Sequence, residues 1–282
     1  MANDNELIEK ALDGSKAALE ELVKKHQHYI FNVALSLLGD ADDASDLMQE
    51  ALIKMVTKLN TFRQESNFRT WLYRIVKNQF LNMKRGRNED PNLSFAVFGQ
   101  GLDQTPDELI STHTYGVEEK LLVNEAKLSC MKGMLLCLDR EQRLIYILGE
   151  LFEFPDTVGG EIMEMSRENF RVRLHRAKKQ LYEFMNDKCG LVNKNNPCRC
   201  ARKTAGFIRA GYVDPVKLTF QKNRLTTLQK VLDKKVEDYS GAIISQYQQL
   251  FQEHPFLEGP DMMKNLSKLL SSDKMKDTFD LN

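Results

Sequence analysis

Residues 62–87 constrain the fold of this chain most, because they join a short polar loop to a two-faced helix. No proline interrupts residues 68–85, so the pattern predicts a helix of roughly five turns. At about 100° per residue, one face of this helix is apolar apart from Gln79, and we expect it to lie in the core. That face consists of Phe68, Leu72, Ile75, Val76, Gln79 and Met83.

The second face of the same helix carries the only tryptophan of the chain among basic and polar side chains. Its residues are Trp71, Arg74, Asn78 and Arg85, flanked by Lys77 and Lys84. One interpretation is a solvated basic face with an amphipathic aromatic ring at its edge. The other is a surface for single-stranded nucleic acid, where cations hold phosphates and a ring stacks on an unpaired base for roughly 1–3 kcal/mol.

The overall charge gives no nucleic-acid signal, since 40 basic and 40 acidic residues cancel over 282 residues. Any basic surface must therefore be local. The length allows two or three small domains. No apolar run approaches the ~18–20 residues that span a bilayer, and the first residues, MANDNELIEK, are polar. With five cysteines and no export signal, we expect reduced thiols and a cytoplasmic protein.

An acidic helix precedes the aromatic one. Residues 6–38 predict two helices, Gly39 ends the second, and residues 42–59 predict a third. The outer surface near the start of the third helix consists of Asp42, Asp43, Asp46, Gln49 and Glu50. This surface is either a solvated acidic face or a docking site for a basic partner.

The succession of acidic helix, polar loop (RQESN) and aromatic-basic helix resembles region 2 of the sigma factors of bacterial RNA polymerase. Within that sigma-70 family it is most similar to the extracytoplasmic-function (ECF) group, over residues 15–87. The matching residues are Asp42, Asp43, Asp46, Gln49, Glu50, Leu59, Phe62, Phe68, Trp71, Leu72, Ile75 and Asn78.

The resemblance implies two interfaces. The five polar residues of the third helix would bind core RNA polymerase. The loop and the following helix would recognise and melt the minus-ten element of promoter DNA, with Trp71 and Tyr73 as candidate stacking rings. The implied minus-ten residues are Arg63, Gln64, Ser66, Asn67, Trp71, Arg74, Lys77 and Asn78.

Residues 88–115 break the helical pattern with Pro91, Pro106 and scattered acids. This predicts a flexible linker, which is either disordered or threaded through a partner. The resemblance to sigma factors implies that this linker lies near the active-site cleft of the polymerase.

Helical periodicity returns at residue 116, and a helix–turn–helix follows. We expect a short helix at Asp156–Met163, Ser166 as an N-cap, and a long helix over residues 167–185. Six basic residues between Ser166 and Leu181 face only one acid, Glu168. The start of such a second helix enters the major groove, and flanking charges meet phosphates.

This helix resembles sigma region 4 at Ser166, Phe170, Arg173, Leu174, Arg176, Ala177 and Lys178. The implied minus-thirty-five residues are Ser166, Arg167, Asn169, Arg171, Arg173, Arg176 and Lys178. The chain departs from the family pattern at Gly159 and Gly160 in the first helix and at Glu164 in the turn. Each glycine costs a helix interior roughly 1 kcal/mol, so we expect a short or irregular first helix.

Beyond the resemblance lies a cysteine-containing turn followed by a tail. Cys189, Cys198 and Cys200 are either zinc ligands, with His175 or His254 as a fourth, or free thiols. Their spacing matches no common zinc knuckle, so no metal ligand is assigned. In the tail, apolar residues from Leu225 to Phe251 recur at helical spacing and predict one long helix, with a second around Met262 and Met263.

We therefore predict an all-α protein with a region-2 domain (1–87), a linker (88–115), a helix–turn–helix region-4 domain (116–188) and a helical C-terminal extension (189–282). The predicted function is that of a sigma factor, with core RNA polymerase, promoter DNA and an anti-sigma factor as partners, and no membrane. The alternative is a stand-alone helix–turn–helix regulator. No catalytic constellation is present, so we expect neither an enzyme nor a cofactor.

Overall fold

The computed structural model describes residues 3–110, 116–218, 224–228, 249–251 and 253–263. The helices in these ranges are α1 (Asp4–Leu12), α2 (Lys16–Leu38), α3 (Ala41–Thr57), α4 (Phe68–Asn82), α5 (Phe95–Gln104), α6 (Glu119–Leu136), α7 (Arg140–Tyr146), α8 (Asp156–Met163), α9 (Arg167–Lys188) and α10 (Cys200–Arg209). The strands are β1 (Arg224–Thr227) and β2 (Pro255–Leu257). The predicted all-α class is confirmed by this helical architecture.

Helices α1–α4 form the first module. Gly39 ends α2 in the left-handed conformation (φ 67°), and Asp40 caps α3 by accepting from Asp42 N and Asp43 N at 3.0 Å. The predicted apolar face of α4 is buried at its centre, where Phe68, Leu72 and Val76 are at most 2% exposed.

Helix α4 is shorter than predicted. It ends at Asn82, since Met83 already has an extended backbone (ψ 155°). Lys84 and Arg85, which the helical pattern placed on its basic face, therefore lie beyond the helix.

The predicted linker contains a helix. Ser94 caps α5 by accepting from Val97 N at 3.3 Å. Phe95 and Phe98 of α5 contact the ring of Phe184 in α9, with centroids 5.2 and 5.8 Å apart. Periodicity did not reveal α5 because its ten residues include two glycines, two glutamines and an aspartate among the apolar side chains.

Helices α6–α9, with a π-helical turn at Ile147–Leu151, form the second module. Its helix–turn–helix consists of α8 and α9, and α8 is a short helix over Asp156–Met163, as predicted. A side chain at Gly159 would place its Cβ 2.3 Å from the Phe170 ring, so the glycine is required for α8 to approach α9. Glu164 adopts φ 56° in the turn, the left-handed conformation that glycine usually supplies.

The described part of the C-terminal extension is only partly helical. Strands β1 and β2 pair antiparallel, with Thr226 opposite Phe256 and Thr227 opposite Pro255. The prediction of one long helix is therefore wrong at Leu225, which lies in β1. Its positions Leu232, Val236, Tyr239, Ile243 and Tyr247 lie outside the described residues.

Within the described ranges, no helix combines the length and the apolar character that crossing a membrane requires.

Candidate nucleic-acid interface

The acidic surface of α3 lies open on the first module. Asp42, Asp46 and Glu50 are exposed, and Gln49 is half-buried. Asp43 has a second role, because its carboxylate accepts from Arg87 N at 2.6 Å. The remaining acids thus form a compact negative surface suited to a basic partner.

One cation of the chain already lies at this surface. The Arg87 guanidinium donates to Asp42 at 2.8 Å. This hydrogen bond, with the nearby charges of Asp40, Asp42 and Asp43, raises the pKa of Arg87. Both partners are exposed, so the pair contributes little stability.

Trp71 lies half-buried at the edge of an aromatic cluster. Its ring centroid is 5.6 Å from that of Phe62 and 5.5 Å from that of Phe68, and these two rings are buried. The cluster fixes the indole while leaving part of it accessible. Asn78 is exposed further along the same helix.

The loop before α4 is open to solvent. Arg63, Gln64 and Asn67 are exposed, and Ser66 is half-buried. Gln64 adopts φ 57°. Asn67 also caps α4, since its side chain accepts from Arg69 N at 3.0 Å. Loop and ring thus lie next to one another at the start of one rigid helix.

The second module covers the rest of the predicted α4 face. Arg74 Nε donates to the carbonyl oxygen of Glu161 in α8 at 2.8 Å. Lys77 is only 4% exposed and forms an ion pair with Glu164 in the helix–turn–helix turn. The hydrogen bond from Lys77 lowers the pKa of Glu164. These two cations of α4 therefore contact groups of the second module.

Tyr73 does not offer a stacking ring. It is 2% exposed, and its ring meets the edge of Phe154 at 5.1 Å. Burial raises its pKa to about 12. The expected pair of rings is thus reduced to Trp71, because residue 73 points into the contact with the second module.

Helix α9 begins as predicted. Ser166 caps it by accepting from Asn169 N at 3.2 Å, and both residues are exposed, as are Arg167, Arg171 and Arg176. In the sequence, Glu168 is the only acidic residue among the basic residues between Ser166 and Leu181. In the fold, acidic residues from other elements also form ion pairs with them. Arg167 and Arg171 pair with Asp156 at 2.9 and 3.3 Å.

Two further basic residues of α9 pair with acids of α7 and the π-helical turn. Arg173 pairs with Glu141 at 2.5 Å, and Lys178 pairs with Glu150 at 2.8 Å. The sequence did not indicate these pairs because the acidic residues are distant from α9 in the chain. The basic surface survives, but part of its charge is compensated within the fold.

Comparisons with known proteins show which proteins the chain is similar to. The Sigma-70 region 2 family matches residues 22–89. The RNA polymerase sigma-H factor of Pseudomonas aeruginosa is 43% identical over 103 residues, 35% of this chain and 53% of that protein. RNA polymerase sigma factor YlaC of Bacillus subtilis is 29% identical over 60% of this chain and 92% of that protein. The chain contains a sigma-70 region 2.

The chain is also similar to sigma factors of the ECF group. ECF RNA polymerase sigma factor SigW of Bacillus subtilis is 24% identical over 64% of this chain and 95% of that protein. The chain spans about half the length of the sigma-H factor and nearly all of the other two. A solved structure of sigma factor RpoE with anti-sigma factor NepR from Bartonella quintana aligns with a TM-score of 0.40 and 22% identity, covering 59% of this chain and 95% of that one.

The chain also contains a polar network that sequence reasoning missed. Glu89, 1% exposed at its side chain, receives hydrogen bonds from Arg140 and Arg143 of α7 at distances from 2.5 to 3.1 Å. Burial alone would raise the pKa of Glu89, but these hydrogen bonds, one from Gly86 N and the Arg143 charge lower it. The network joins the linker to the second module.

The two arginines also hold the first module. Arg143 donates to the carbonyl oxygen of Leu37 at 2.7 Å, and Arg140 to those of Phe80 and Met83 at 3.0 and 2.8 Å. No local sequence signal marks this network, because its hydrogen-bonded partners lie 51 to 106 residues apart in the chain.

The five cysteines of the chain are free thiols. Cys189 and Cys198 face one another across an isolated bridge, and Cys200 begins α10. Burial, reinforced by the neighbouring cysteines, raises the pKa of Cys200 to about 11. Over the described ranges, no three or more His, Cys, Asp or Glu side chains are arranged to hold a metal ion. The zinc alternative thus gains no support.

Proposed function

We propose that the chain is a sigma factor, which binds core RNA polymerase and directs promoter recognition and DNA melting. The observation that carries this proposal is the position of Trp71 between an exposed polar loop and the basic residues of α4, directly after the acidic helix α3. A polymerase subunit that opens DNA needs each of these parts. The chain itself is not an enzyme, since polymerisation is carried out by the core polymerase that it would direct.

The parts divide the work by chemistry. Asp42, Asp46 and Glu50 supply an open negative surface for a basic region of the polymerase. Arg63, Gln64, Ser66 and Asn67 contact an extruded base, and Trp71 supplies a fixed ring beside them. Extruding a base costs a few kcal/mol, and stacking on an aromatic ring returns about 1–3 kcal/mol of it. Asn78 with Arg74 and Lys77 holds the backbone once the two cations are free.

Helix α9 reads duplex DNA at the minus-thirty-five element. Arg167, Asn169 and Arg171 lie at its start, where a recognition helix meets base edges. Arg173, Arg176 and Lys178 lie further along, where they meet phosphates.

The closed arrangement of the two modules must open for this function. Elements at minus ten and minus thirty-five are separated by about 25 base pairs, on the order of 85 Å at about 3.4 Å per pair. A compact chain of 282 residues has a radius of gyration of roughly 19 Å and is roughly 50 Å across. The two modules therefore contact both elements only after they separate.

Run-off transcription tests the function. Core polymerase with this chain should give transcripts of defined length from a cognate promoter, and core polymerase alone should not. A stand-alone regulator would instead bind promoter duplex without core polymerase and add no promoter-dependent transcript. The named relatives favour the first outcome, since they are RNA polymerase sigma factors.

A further inference from the structure

The end of the described chain forms a strap, residues 253–263, that lies along α2. Asn32 of α2 is 4% exposed and holds Leu257 through both of its backbone groups. Its amide nitrogen donates to Leu257 O at 2.8 Å, and its amide oxygen accepts from Leu257 N at 2.8 Å. A side-chain amide used in this way replaces a strand neighbour and binds an extended segment.

Further contacts on α2 follow the strap. Gly259 N donates to His28 Nδ1 at 3.1 Å, and the Phe256 ring meets the edge of Tyr29 at 5.4 Å. Phe256 and Met262 are 5% and 3% exposed. A buried asparagine in the apolar stripe of α2 is thus explained by a partner segment more than two hundred residues away in the chain.

The same segment also contacts the second module. Glu253 pairs with Lys127 of α6 at 3.2 Å. Just before the strap, Phe251 is fully buried and meets the edge of Tyr146 at the end of α7, with centroids 5.5 Å apart. The segment therefore bridges α2 of the first module and α6–α7 of the second.

We propose that this surface of α2 is the docking site for the chain's own strap, and that docking clamps the two modules in the closed form. In that form α8 and its turn occupy Arg74 and Lys77, so the clamp withholds part of the DNA-melting face. Release of the strap frees the modules to separate. This inference rests on the proposed function only in identifying that face as a DNA-binding surface.

The contacts of the docked strap predict how strongly it favours the closed form. Burial of Phe256 and the paired hydrogen bonds of Asn32 both stabilise docking of the strap. A tethered segment also acts at a high effective concentration, so even moderate local affinity keeps it docked. Loss of one buried ring should therefore shift the closed population measurably.

The test uses the full chain with two dyes attached through unnatural amino acids at the exposed positions Lys24 (α2) and Lys179 (α9). Energy transfer between them reports module separation. Phe256→Ala should lower the closed fraction at least threefold. Lys127→Glu should lower it less, and Lys127→Glu with Glu253→Lys should restore it, because the swapped pair has the same geometry. This surface swap keeps the test valid if Phe256→Ala folds poorly.

Two further readouts separate the possible results. Amide hydrogen exchange at Leu257 and Gly259 reports strap release, and quenching of Trp71 fluorescence reports binding of a single-stranded minus-ten oligonucleotide. Faster exchange with unchanged dye separation would overturn the clamp. Separation with at least threefold tighter oligonucleotide binding is the expected result. Separation without any change in oligonucleotide binding would support the clamp and count against the proposed DNA-melting face.

Discussion

Lys77 of α4 and Glu164 of the helix–turn–helix turn form an ion pair that joins the predicted melting helix to the predicted promoter-reading module. The lysine side chain is 5% exposed and the glutamate 63%. Each residue departs from what its local pattern predicts. Lys77 is buried rather than solvated, and Glu164 takes a left-handed conformation that favours glycine.

Removing the Glu164 charge should weaken the closed form. A pair with one exposed partner contributes at most about 1 kcal/mol, so Glu164→Gln should raise single-stranded minus-ten DNA affinity up to about fivefold. Glu161→Gln is the matched control, since this exposed neighbour contacts Arg74 only through its backbone. The measurement is quenching of Trp71 fluorescence. Equal affinities for both variants would show that the pair does not restrict the face.

A glycine at position 164 separates backbone strain from charge. Glu164→Gly loses the same ion pair but removes a left-handed non-glycine residue, which costs on the order of 1 kcal/mol. We expect a higher melting temperature for Glu164→Gly than for Glu164→Gln, with similar DNA affinity. A lower melting temperature for the glycine variant would contradict the strain assigned to the turn.

The polymerase-docking surface should respond to charge reversal. Asp46→Lys with Glu50→Lys changes two exposed acids of α3 and leaves Asp43, which holds Arg87 N, untouched. Core polymerase binding should weaken at least tenfold at low salt and less at high salt, because screening shortens the reach of exposed charges. Glu9→Lys with Glu21→Lys makes the same charge change elsewhere on the module. Equal losses from both pairs would remove the docking role of α3.

The start and the middle of α9 should differ in their DNA contacts. Arg176 is exposed, whereas Arg171 lies at the helix start beside Asp156. Arg176→Ala should weaken binding to all duplexes alike and flatten the salt slope by about 0.9, the value of one phosphate contact. Arg171→Ala should relax sequence choice instead. Binding isotherms across salt concentrations measure both, and an unchanged slope for Arg176→Ala would exclude a phosphate contact.

Mild acid should release the strap. Burial lowers the pKa of His254 from 6.5 to about 4, outweighing its hydrogen bond to Pro255 O, and nearby Lys132 adds to the shift. The docked state therefore binds fewer protons than the released state. Its stabilisation is complete above about pH 6.5 and falls as pH drops towards 4, by about 1.4 kcal/mol at pH 5.5.

The pH effect is measurable as the closed fraction from dye energy transfer at pH 7.5 and 5.5. His254→Phe should reduce the pH dependence while keeping a buried ring. A closed fraction that rises on acidification would contradict the prediction that protonation of His254 releases the strap.

The sequence predicted the elements whose determinants are local. The end of α2 at Gly39, the cap of α9 at Ser166 and the apolar face of α4 follow from neighbouring residues, and so does the helix–turn–helix. The family resemblance supplied the order of acidic helix, loop and aromatic helix. These features together define the fold class and the candidate site.

What the sequence did not reveal depends on residues that are distant in the chain. The burial of Lys77 and Tyr73 requires α8 and Phe154, and the charge compensation of α9 requires Asp156 and Glu150. No periodicity within one helix contains such partners. The two adjacent glycines likewise predicted a short or irregular α8. Gly159 instead leaves room for the ring of Phe170, eleven residues later in the chain.

Promoter opening tests the central claim most directly. A holoenzyme carrying Trp71→Ala with Arg74→Ala should assemble and bind duplex promoter nearly as the wild type does. Permanganate reactivity of thymines around the minus-ten element should fall roughly tenfold, because about 1–3 kcal/mol of stacking is lost. Transcription from a pre-melted bubble template should recover at least partly. Wild-type permanganate reactivity on a linear promoter would contradict the assignment of α4 as the melting helix.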